Sequence, residues 1–142
     1  MNLSPLGIAL LQLFEDYASK AYKRFATEPW TCGYGHTRGV TPDTTCTPQI
    51  ALDWLKEDTA EAEKAVGPIP HLAQHQYDAL VSLVYNIGVT AFERSTMIGH
   101  LYSDPMGAAE DFLVWDHIGG IPNAGLLRRR TFERALYLYG AS

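Results

Sequence analysis

Residues 15–37 of the chain, EDYASKAYKRFATEPWTCGYGHT, decide the fold. Glu15 ends an apolar segment, whereas Thr31 opens a segment in which glycines separate aromatic and polar residues. Apolar residues at helical spacing predict a helix, and the glycine-punctuated segment predicts a small antiparallel hairpin. An acid at a helix end together with polar groups on a hairpin is an arrangement typical of enzymes that cleave sugar chains.

Local signals around this stretch predict a mainly helical chain. Ser4-Pro5 and Thr47-Pro48 each place a capping hydroxyl before a proline, which is a typical helix start. Apolar residues then recur at helical spacing until glycine or proline interrupts them. The predicted helices occupy residues 4–18, 47–66, 72–87, 90–94, 95–102, 106–115 and 124–139, with an irregular antiparallel sheet at 20–46 and a loop at 119–123.

The predicted fold class is α+β and predominantly α, in a single domain of residues 1–142. The chain length suits one domain, and its hydrophobic content of 46% is enough for a core. We expect a small β-hairpin lobe at about 20–46 and a helical lobe at about 47–142, with helix 4–18 packed on the helical lobe. A cleft is expected between the two lobes.

Charge and hydropathy exclude two classes of protein. The net charge is −5, whereas nucleic-acid-binding proteins usually present a basic surface, so no nucleic-acid partner is predicted. No run of about 18 apolar residues occurs, so no membrane span is predicted. The apolar N-terminus lacks a basic leader and a small-residue cleavage site, and we interpret it as a helix of the mature protein.

The last predicted helix carries the only dense run of basic residues. At helical spacing its arginines spread around the helix, which favours solvated or salt-bridged structural roles on the outward side. These residues are Arg128, Arg129, Arg130 and Arg134. The side chains expected to point into the core are Leu126, Phe132, Leu136 and Tyr139.

Cysteines and histidines suggest no metal or cofactor. Two cysteines, Cys32 and Cys46, do not require a disulfide framework, and free thiols in a reducing cytoplasm are expected, although their spacing does not exclude a cross-link. His71 and His75 have the i, i+4 spacing of helical metal ligands, but no third ligand lies near them in sequence. His36, within the hairpin, is expected to have a hydrogen-bonded structural role.

Glu15 is the candidate general acid. A carboxyl group beside apolar surface is costly to ionise, and a general acid must hold its proton near neutral pH. Position alone also fits an ordinary surface glutamate near a helix end, so the assignment depends on the wider motif. Trp30 and Tyr34 lie in the hairpin, where aromatic rings suit either stacking on a sugar or packing against a helix.

Four segments, in order along the chain, carry a family resemblance. A first motif of the form Glu-Gly-x-x-x-x-Ala-Tyr, then Thr-x-Gly-x-Gly-His-Thr, is matched by residues 15–22 and, intact, by residues 31–37. Residues 82–88 and 91–96 are similar to a central helix and the turn after it. The start of the last helix is matched by Gly125-Leu126, Arg129-Arg130 and Glu133. On these residues the chain resembles the phage-type lysozymes of glycoside hydrolase family 24.

The resemblance implies a lysozyme-like fold and an endolysin that cleaves the β-1,4 bond between N-acetylmuramic acid and N-acetylglucosamine in peptidoglycan. It implies Glu15 as proton donor, Thr31 as the hydroxyl that helps to place the attacking water, and no cofactor. The residues expected to bind substrate are Thr37, Tyr85, Ser95 and, from the hairpin aromatics, Tyr34. A separate holin is implied as a functional partner that lets the enzyme leave the host cytoplasm for the cell wall, and a monomer is expected.

The chain departs from the family where a second acid is usual. Nine residues after Glu15 the family has Asp, sometimes Cys, and this chain has Arg24, which cannot accept a proton. The segment before Thr31 is one residue longer than usual, so Glu28 is the provisional base of an inverting mechanism. Three alternatives stay open: transglycosylation by Glu15 alone, a weakly active or inactive glycan-binding relative, and an unidentified base.

Overall fold

The computed structural model of the protein describes residues 1–140. These residues form two compact units. The hairpin unit comprises Ala9–Ala60, and the helical unit comprises Met1–Ile8 together with the chain from Glu61 onward. The elements are α1 (Pro5–Phe14), β1 (Ala18–Tyr22), β2 (Thr31–Gly33), α2 (Pro48–Asp58), α3 (Ala60–Val66), α4 (Gln74–Ile87), α5 (Val89–Glu93), α6 (Thr96–Ser103), a 3₁₀ helix (Gly107–Val114), β3 (His117–Ile118), β4 (Ile121–Pro122) and α7 (Ala124–Tyr139).

This element content confirms the predicted class, α+β and predominantly α. Most predicted helices are found within two residues of their expected limits. Residues 106–115, predicted as an ordinary short helix, form a 3₁₀ helix instead. Within residues 1–140, no helix has the length and apolar character needed to span a membrane.

Helix α1 begins at its predicted capping residue but ends early. Ser4 Oγ accepts a hydrogen bond from Gly7 N at 3.1 Å, which satisfies one of the free N–H groups of the first turn. The helix ends at Phe14, so the predicted end near Ala18 is wrong. The reason is Asp16, whose φ of 34° is left-handed and does not continue a right-handed helix.

Strands β1 and β2 form an irregular antiparallel pair, as predicted. Tyr22 lies opposite Thr31 and Ala18 lies opposite Gly33, so the five residues of β1 face the three residues of β2 and the register shifts at a bulge between Ala18 and Tyr22. The chain ahead of α2 also pairs with β1, through a bridge between Lys20 and Thr45. Three chain segments therefore make up the small sheet of the hairpin unit.

Helix α2 packs directly against β2. Gly33 has a φ of 69°, and a Cβ atom added there would lie 3.1 Å from the Ala51 Cβ atom and 3.3 Å from Trp54 Cε3. Glycine is therefore required both by the backbone conformation and by the close approach of the helix. Because α2 packs on the strand in this way, the unit that contains the hairpin extends to Ala60, beyond the predicted limit of 46.

The second predicted helix, 47–66, consists of two helices, and the prediction of one is wrong. Thr47 caps α2 by accepting a hydrogen bond from Ile50 N at 3.3 Å, as its sequence signal predicts. The break falls at Thr59, which is fully buried and donates its hydroxyl to Lys56 O at 3.1 Å. Threonine that bonds back to its own helix often bends it, and here α3 starts at Ala60.

The helical unit has a continuous apolar core built around α4. This helix is buried over most of its length and packs against α7, which packs in turn against the 3₁₀ helix. The buried residues of this core are Ala62, Val66, Ile69, Tyr77, Ala79, Leu80, Val81, Leu83, Val84, Phe92, Met97, Leu101, Ala108, Ala109, Phe112 and Tyr137.

Helix α7 has the predicted limits, with Arg128 exposed and Leu136 packed against the core as predicted, but the faces of four other residues were wrongly assigned. Arg129 and Arg130 are buried, whereas Phe132 and Tyr139 are 52% and 71% exposed. The two guanidinium groups are buried because Glu133 accepts from both of them. A partner on the same helix and polar groups on α4 therefore outweigh the ordinary preference of arginine for solvent.

Residues 117–122, partly predicted as a loop, form a second hairpin from β3 and β4. Ile118 pairs with Ile121 across a two-residue turn. Gly119 and Gly120 both have positive φ, as the commonest two-residue hairpin turn requires. The Gly-Gly dipeptide between two isoleucines is therefore a turn signal that predicts a hairpin.

Candidate functional site

Glu15 is the first residue after α1. Its backbone N–H still donates to Leu11 O at 2.8 Å, so the residue is held by the last helical turn although the helix ends at Phe14. The residue is half-buried. The left-handed Asp16 follows, at the position where the family motif has glycine, and it turns the chain into β1. Aspartate tolerates this conformation better than most residues, so the turn is retained without the glycine.

Thr31 opens β2 in the same hairpin unit. Its Oγ1 donates to Pro29 O at 3.3 Å, which holds the hydroxyl near the turn before the strand. Since the hydroxyl proton is used in this bond, the oxygen lone pairs of the half-buried side chain can accept a further hydrogen bond.

The strand that carries Thr31 is anchored to α2 by His36. His36 Nδ1 lies 2.7 Å from Asp58 Oδ2, and the imidazole stacks on Trp54 with ring centroids 4.3 Å apart. Cys32 N donates to His36 O and His36 N donates to Cys32 O, at 2.9 and 3.0 Å. The predicted hydrogen-bonded structural role of His36 is confirmed, since the residue joins the strand to the end of α2.

Two aromatic contacts lie near these residues. Tyr34 accepts from Gln12 Nε2 at 3.3 Å and lies 5.6 Å, between ring centroids, from Tyr17. Lys23 Nζ lies 5.1 Å from the centroid of Trp30. Both Tyr34 and Trp30 are half-buried, so each ring is packed on one side and keeps part of its surface accessible.

The turn between β1 and β2 carries Arg24 and Glu28. Both residues are exposed, and Glu28 N donates to Phe25 O at 3.1 Å as part of the turn. Thr37, after the hairpin, is also exposed and its carbonyl accepts from Val40 N at 3.2 Å. The hairpin unit thus contains five of the seven predicted site residues, namely Glu15, Glu28, Thr31, Tyr34 and Thr37.

Tyr85 and Ser95 belong to the helical unit. Tyr85 is half-buried near the end of α4 and packs against the apolar core of that unit. Ser95 precedes α6 and donates its hydroxyl to Phe92 O at 2.6 Å, so it ends the turn after α5 rather than capping α6 with its side chain.

The two cysteines meet beside β1. Their Sγ atoms are 3.5 Å apart, and both thiols are free. Desolvation by burial raises the pKa of Cys32 to about 11, and the hydrogen bond with Cys46 adds to the shift.

No metal site is evident among residues 1–140, where no group of three or more His, Cys, Asp or Glu could hold an ion. Of the histidine pair with helical spacing, His71 precedes α4, and His75 Nδ1 lies 2.9 Å from Leu136 O. His75 therefore links α4 to α7.

The sequence interpretation missed the pairing of His36 with Asp58 and Trp54. The partners are separated by 22 and 18 positions, and no local pattern connects a histidine on a hairpin with an acid at a helix end. Only the packing of α2 on β2 brings them together.

Comparison with known proteins identifies the family. A family model described as Phage lysozyme matches residues 12–133. The chain is 38% identical to the endolysin of Acyrthosiphon pisum secondary endosymbiont phage 1, over 96% of this chain and 98% of that relative. It is 39% identical to the endolysin of Bacillus phage B103 over its whole length, which spans 56% of that relative. A solved structure of a P22 lysozyme mutant matches with a TM-score of 0.85 at 38% identity, over 97% of this chain and 99% of that chain. Because the family match covers most of the chain, the protein belongs to the phage lysozyme family and is a lysozyme-type hydrolase.

Proposed function

We propose that the protein is an endolysin that hydrolyses the β-1,4 bond between N-acetylmuramic acid and N-acetylglucosamine in bacterial peptidoglycan, with Glu15 as the general acid. The observation that carries the proposal is the position of Glu15. Glu15 is half-buried, and its backbone is held by the last turn of α1. It lies in the compact unit that also contains the Thr31–Thr37 motif. A positioned carboxylic acid is the group that protonates a leaving glycosidic oxygen.

Thr31 acts with Glu15 by placing the attacking water. The support is its hydrogen bond to Pro29 O, which uses the hydroxyl proton and leaves the oxygen as an acceptor for a water proton. The anchoring of its own strand, β2, through His36 and Asp58 supports the same role, because a positioned hydroxyl needs a rigid strand. Thr37, Tyr34, Tyr85 and Ser95 are proposed as substrate-binding residues.

Glu28 is proposed as the base that takes the second water proton. It lies on the β1–β2 turn, like Arg24, which stands at the usual position of the second acid. In an inverting glycosidase the two carboxyl groups lie about 6.5–9.5 Å apart, with the water between them.

A second mechanism is transglycosylation by Glu15 alone. The presence of Arg24 at the position of the usual acid, with the whole 23–29 turn exposed, favours this candidate. Glu15 first protonates the leaving N-acetylglucosamine oxygen. It then removes the proton of the substrate's own hydroxyl as that oxygen closes on the anomeric carbon, and the product has a 1,6-anhydro end.

A cell-wall clearing assay with Glu15→Gln tests the acid. We expect turnover to fall at least about a hundredfold, the low end of a general acid's contribution. Asp16→Asn is the matched control, because it removes the adjacent carboxylate while asparagine also tolerates a positive φ. Equal clearing by Glu15→Gln and the wild type would remove Glu15 as the general acid, and an absence of clearing by both would favour glycan binding without cleavage.

Mass spectrometry of digested peptidoglycan distinguishes the two mechanisms. Reducing muramic ends are expected for hydrolysis, and 1,6-anhydro ends would assign transglycosylation. Glu28→Gln is expected to lower turnover by about a hundredfold or more if Glu28 is the base. A near-normal rate for this variant, with reducing ends retained, would eliminate Glu28 and leave another group as base.

The protein acts from inside the host cell in this proposal. It accumulates in the host cytoplasm and reaches the peptidoglycan after a separate holin has permeabilised the membrane. It functions as a monomer. Sedimentation at working concentration tests the oligomeric state, and expression with and without a holin tests the requirement for a membrane lesion.

A further inference from the structure

Cys32 and Cys46 form a close pair that the proposed catalytic mechanism does not use. Their Sγ atoms are 3.5 Å apart although the residues are 14 positions apart along the chain. Both thiols also lie 3.6 Å from the same acceptor, the carbonyl oxygen of Ala18 in β1. Both thiol groups therefore lie beside the carbonyl oxygen of the first residue of β1.

We propose that Cys32 and Cys46 are a redox modification site, at which a small-molecule or protein disulfide oxidises the two thiols to an intramolecular disulfide. The bond would join β2 to the chain just ahead of α2. It would enclose residues 33–45, which include residues 33–37 of the family motif.

The geometry requires only a small movement. A disulfide has an S–S length of about 2.05 Å, so the two sulfur atoms must approach by roughly 1.5 Å from their present separation. Cys32 is fully buried and is held by two backbone hydrogen bonds to His36. Cys46 is half-buried and lies between exposed residues; its N–H donates to Ser19 O at 2.9 Å and its carbonyl accepts from the Tyr17 hydroxyl at 3.1 Å. The Cys46 side chain, the more exposed of the two, is therefore the one that moves.

Exposure also sets the order of the two exchange steps. Cys46 is the accessible thiol, so its thiolate attacks the external disulfide, forms a mixed disulfide and releases one external thiol. Cys32 then loses its proton to solvent and attacks the Cys46 sulfur, which releases the second external thiol. Overall, two protein thiols and one external disulfide give one protein disulfide and two external thiols.

The site distinguishes a reducing from an oxidising compartment. Thiols stay reduced in a cytoplasm and oxidise in a bacterial periplasm. If the proposed function is correct, the pair is reduced while the enzyme accumulates and cross-links once the enzyme reaches the cell wall. A disulfide that closes a loop stabilises the fold mainly by restricting the unfolded chain, so the oxidised enzyme would gain stability where it acts.

The test treats the full-length native protein with oxidised glutathione and follows its intact mass and free thiols. We expect a product lighter by two hydrogen atoms, no free thiol, no glutathione adduct, and full reversal by dithiothreitol. The oxidised form should melt higher by roughly 5 °C or more. These readouts do not depend on lytic activity, so their failure and the failure of the proposed function are distinguishable.

Single variants locate the bond. Cys32→Ser is expected to retain glutathione on Cys46, because it has no resolving thiol. Cys46→Ser is expected to remain unmodified, because the buried Cys32 is inaccessible. Accumulation of a stable glutathione adduct on the wild type, or of a dimer linked between molecules, would overturn the proposal.

Discussion

The two units of the molecule are stabilised in different ways. The helical unit contains a continuous cluster of buried apolar side chains centred on α4. The hairpin unit buries few, namely Leu10, Leu11, Cys32, Ala51 and Leu55. It depends instead on specific contacts such as the His36–Asp58 pair and the stacking on Trp54.

This difference between the units predicts which one contributes mainly to stability and which one contributes mainly to activity. The proposed acid and the Thr31–Thr37 motif lie in the thinly packed unit, where a few polar contacts position the side chains. In the helical unit, by contrast, Ser82, Arg129, Arg130 and Glu133 form a polar cluster that is buried within a large core, where breaking a charge pair is costly. Loss of a polar contact should therefore affect mainly activity in the hairpin unit and mainly stability in the helical unit.

The largest effect on stability is expected from Glu133→Gln. The carboxylate accepts from both buried arginines of α7 and from Ser82 Oγ, at 2.5 Å in the last case. Removing its charge leaves two buried guanidinium groups with less compensation and should cost about 3–5 kcal/mol of unfolding free energy. Denaturant unfolding measures the change.

The control is Glu110→Gln, which removes the partner of Arg134 at the protein surface. An exposed ion pair contributes at most about 1 kcal/mol, so this variant should unfold almost like the wild type. Similar losses in both variants would contradict the importance assigned to the buried cluster.

His36→Ala tests the same comparison in the hairpin unit. It removes the hydrogen bond to Asp58 and the ring stacked on Trp54, and should cost about 1–3 kcal/mol. Clearing activity should fall by more than this loss of stability explains, because β2 and Thr31 lose their anchor. The measurements are denaturant unfolding and cell-wall clearing at a temperature at which the variant remains folded.

His100→Ala is the matched control, because His100 also pairs with an aspartate, Asp111, but is 50% exposed. It should change stability by less than about 1 kcal/mol and leave clearing unchanged. A His36→Ala variant with normal activity would show that the strand does not need this anchor.

Smaller and equal effects are expected from two of the side-chain helix caps, one in each unit. Thr47 caps α2 in the hairpin unit, and Asn123 caps α7 in the helical unit by accepting from Leu126 N at 2.9 Å. Replacement of either by alanine should cost about 1 kcal/mol, because each change exposes one unpaired N–H of a first turn. Urea unfolding of both variants compares them, and a clearly unequal loss would mean that the surrounding packing, not the cap, decides the cost.

The smallest effect at neutral pH concerns the Cys32 thiol. Its pKa is raised from 9.0 to about 11, so the folded state holds the proton more tightly than the unfolded chain. The resulting stabilisation is complete below about pH 9 and is lost as the pH rises to about 11. With a reductant present, the wild type should lose more stability across this range than Cys32→Ser, and parallel curves would contradict the shift.

Local sequence signals predicted much of the fold because they act over a few residues. Ser4-Pro5 and Thr47-Pro48 cap α1 and α2 through N–H groups three positions away. The spacing of apolar residues predicted α4 and α7 nearly to the residue. The same signals failed where one residue broke the pattern, as the left-handed Asp16 and the buried Thr59 did.

The candidate site was predicted from the order of its motifs, but the contacts that hold those motifs in place were not predicted. Glu15 opens one short motif and Thr31–Thr37 forms another, 16 residues later, and both are visible in the sequence. The partners of His36 in that motif, Asp58 and Trp54, are distant along the chain and have ordinary local surroundings. Such contacts follow only from the packing of α2 on β2.

The sequence by itself determined the helix starts, the hairpin and the family, since each depends on neighbouring residues or on their order. The tertiary structure alone decided that Arg129 and Arg130 are buried, and that Cys32 and Cys46 meet. Helical spacing says which residues share a face but not what covers that face. Burial of an arginine or contact between two thiols depends on groups from other elements, and their positions are fixed only when the chain has folded.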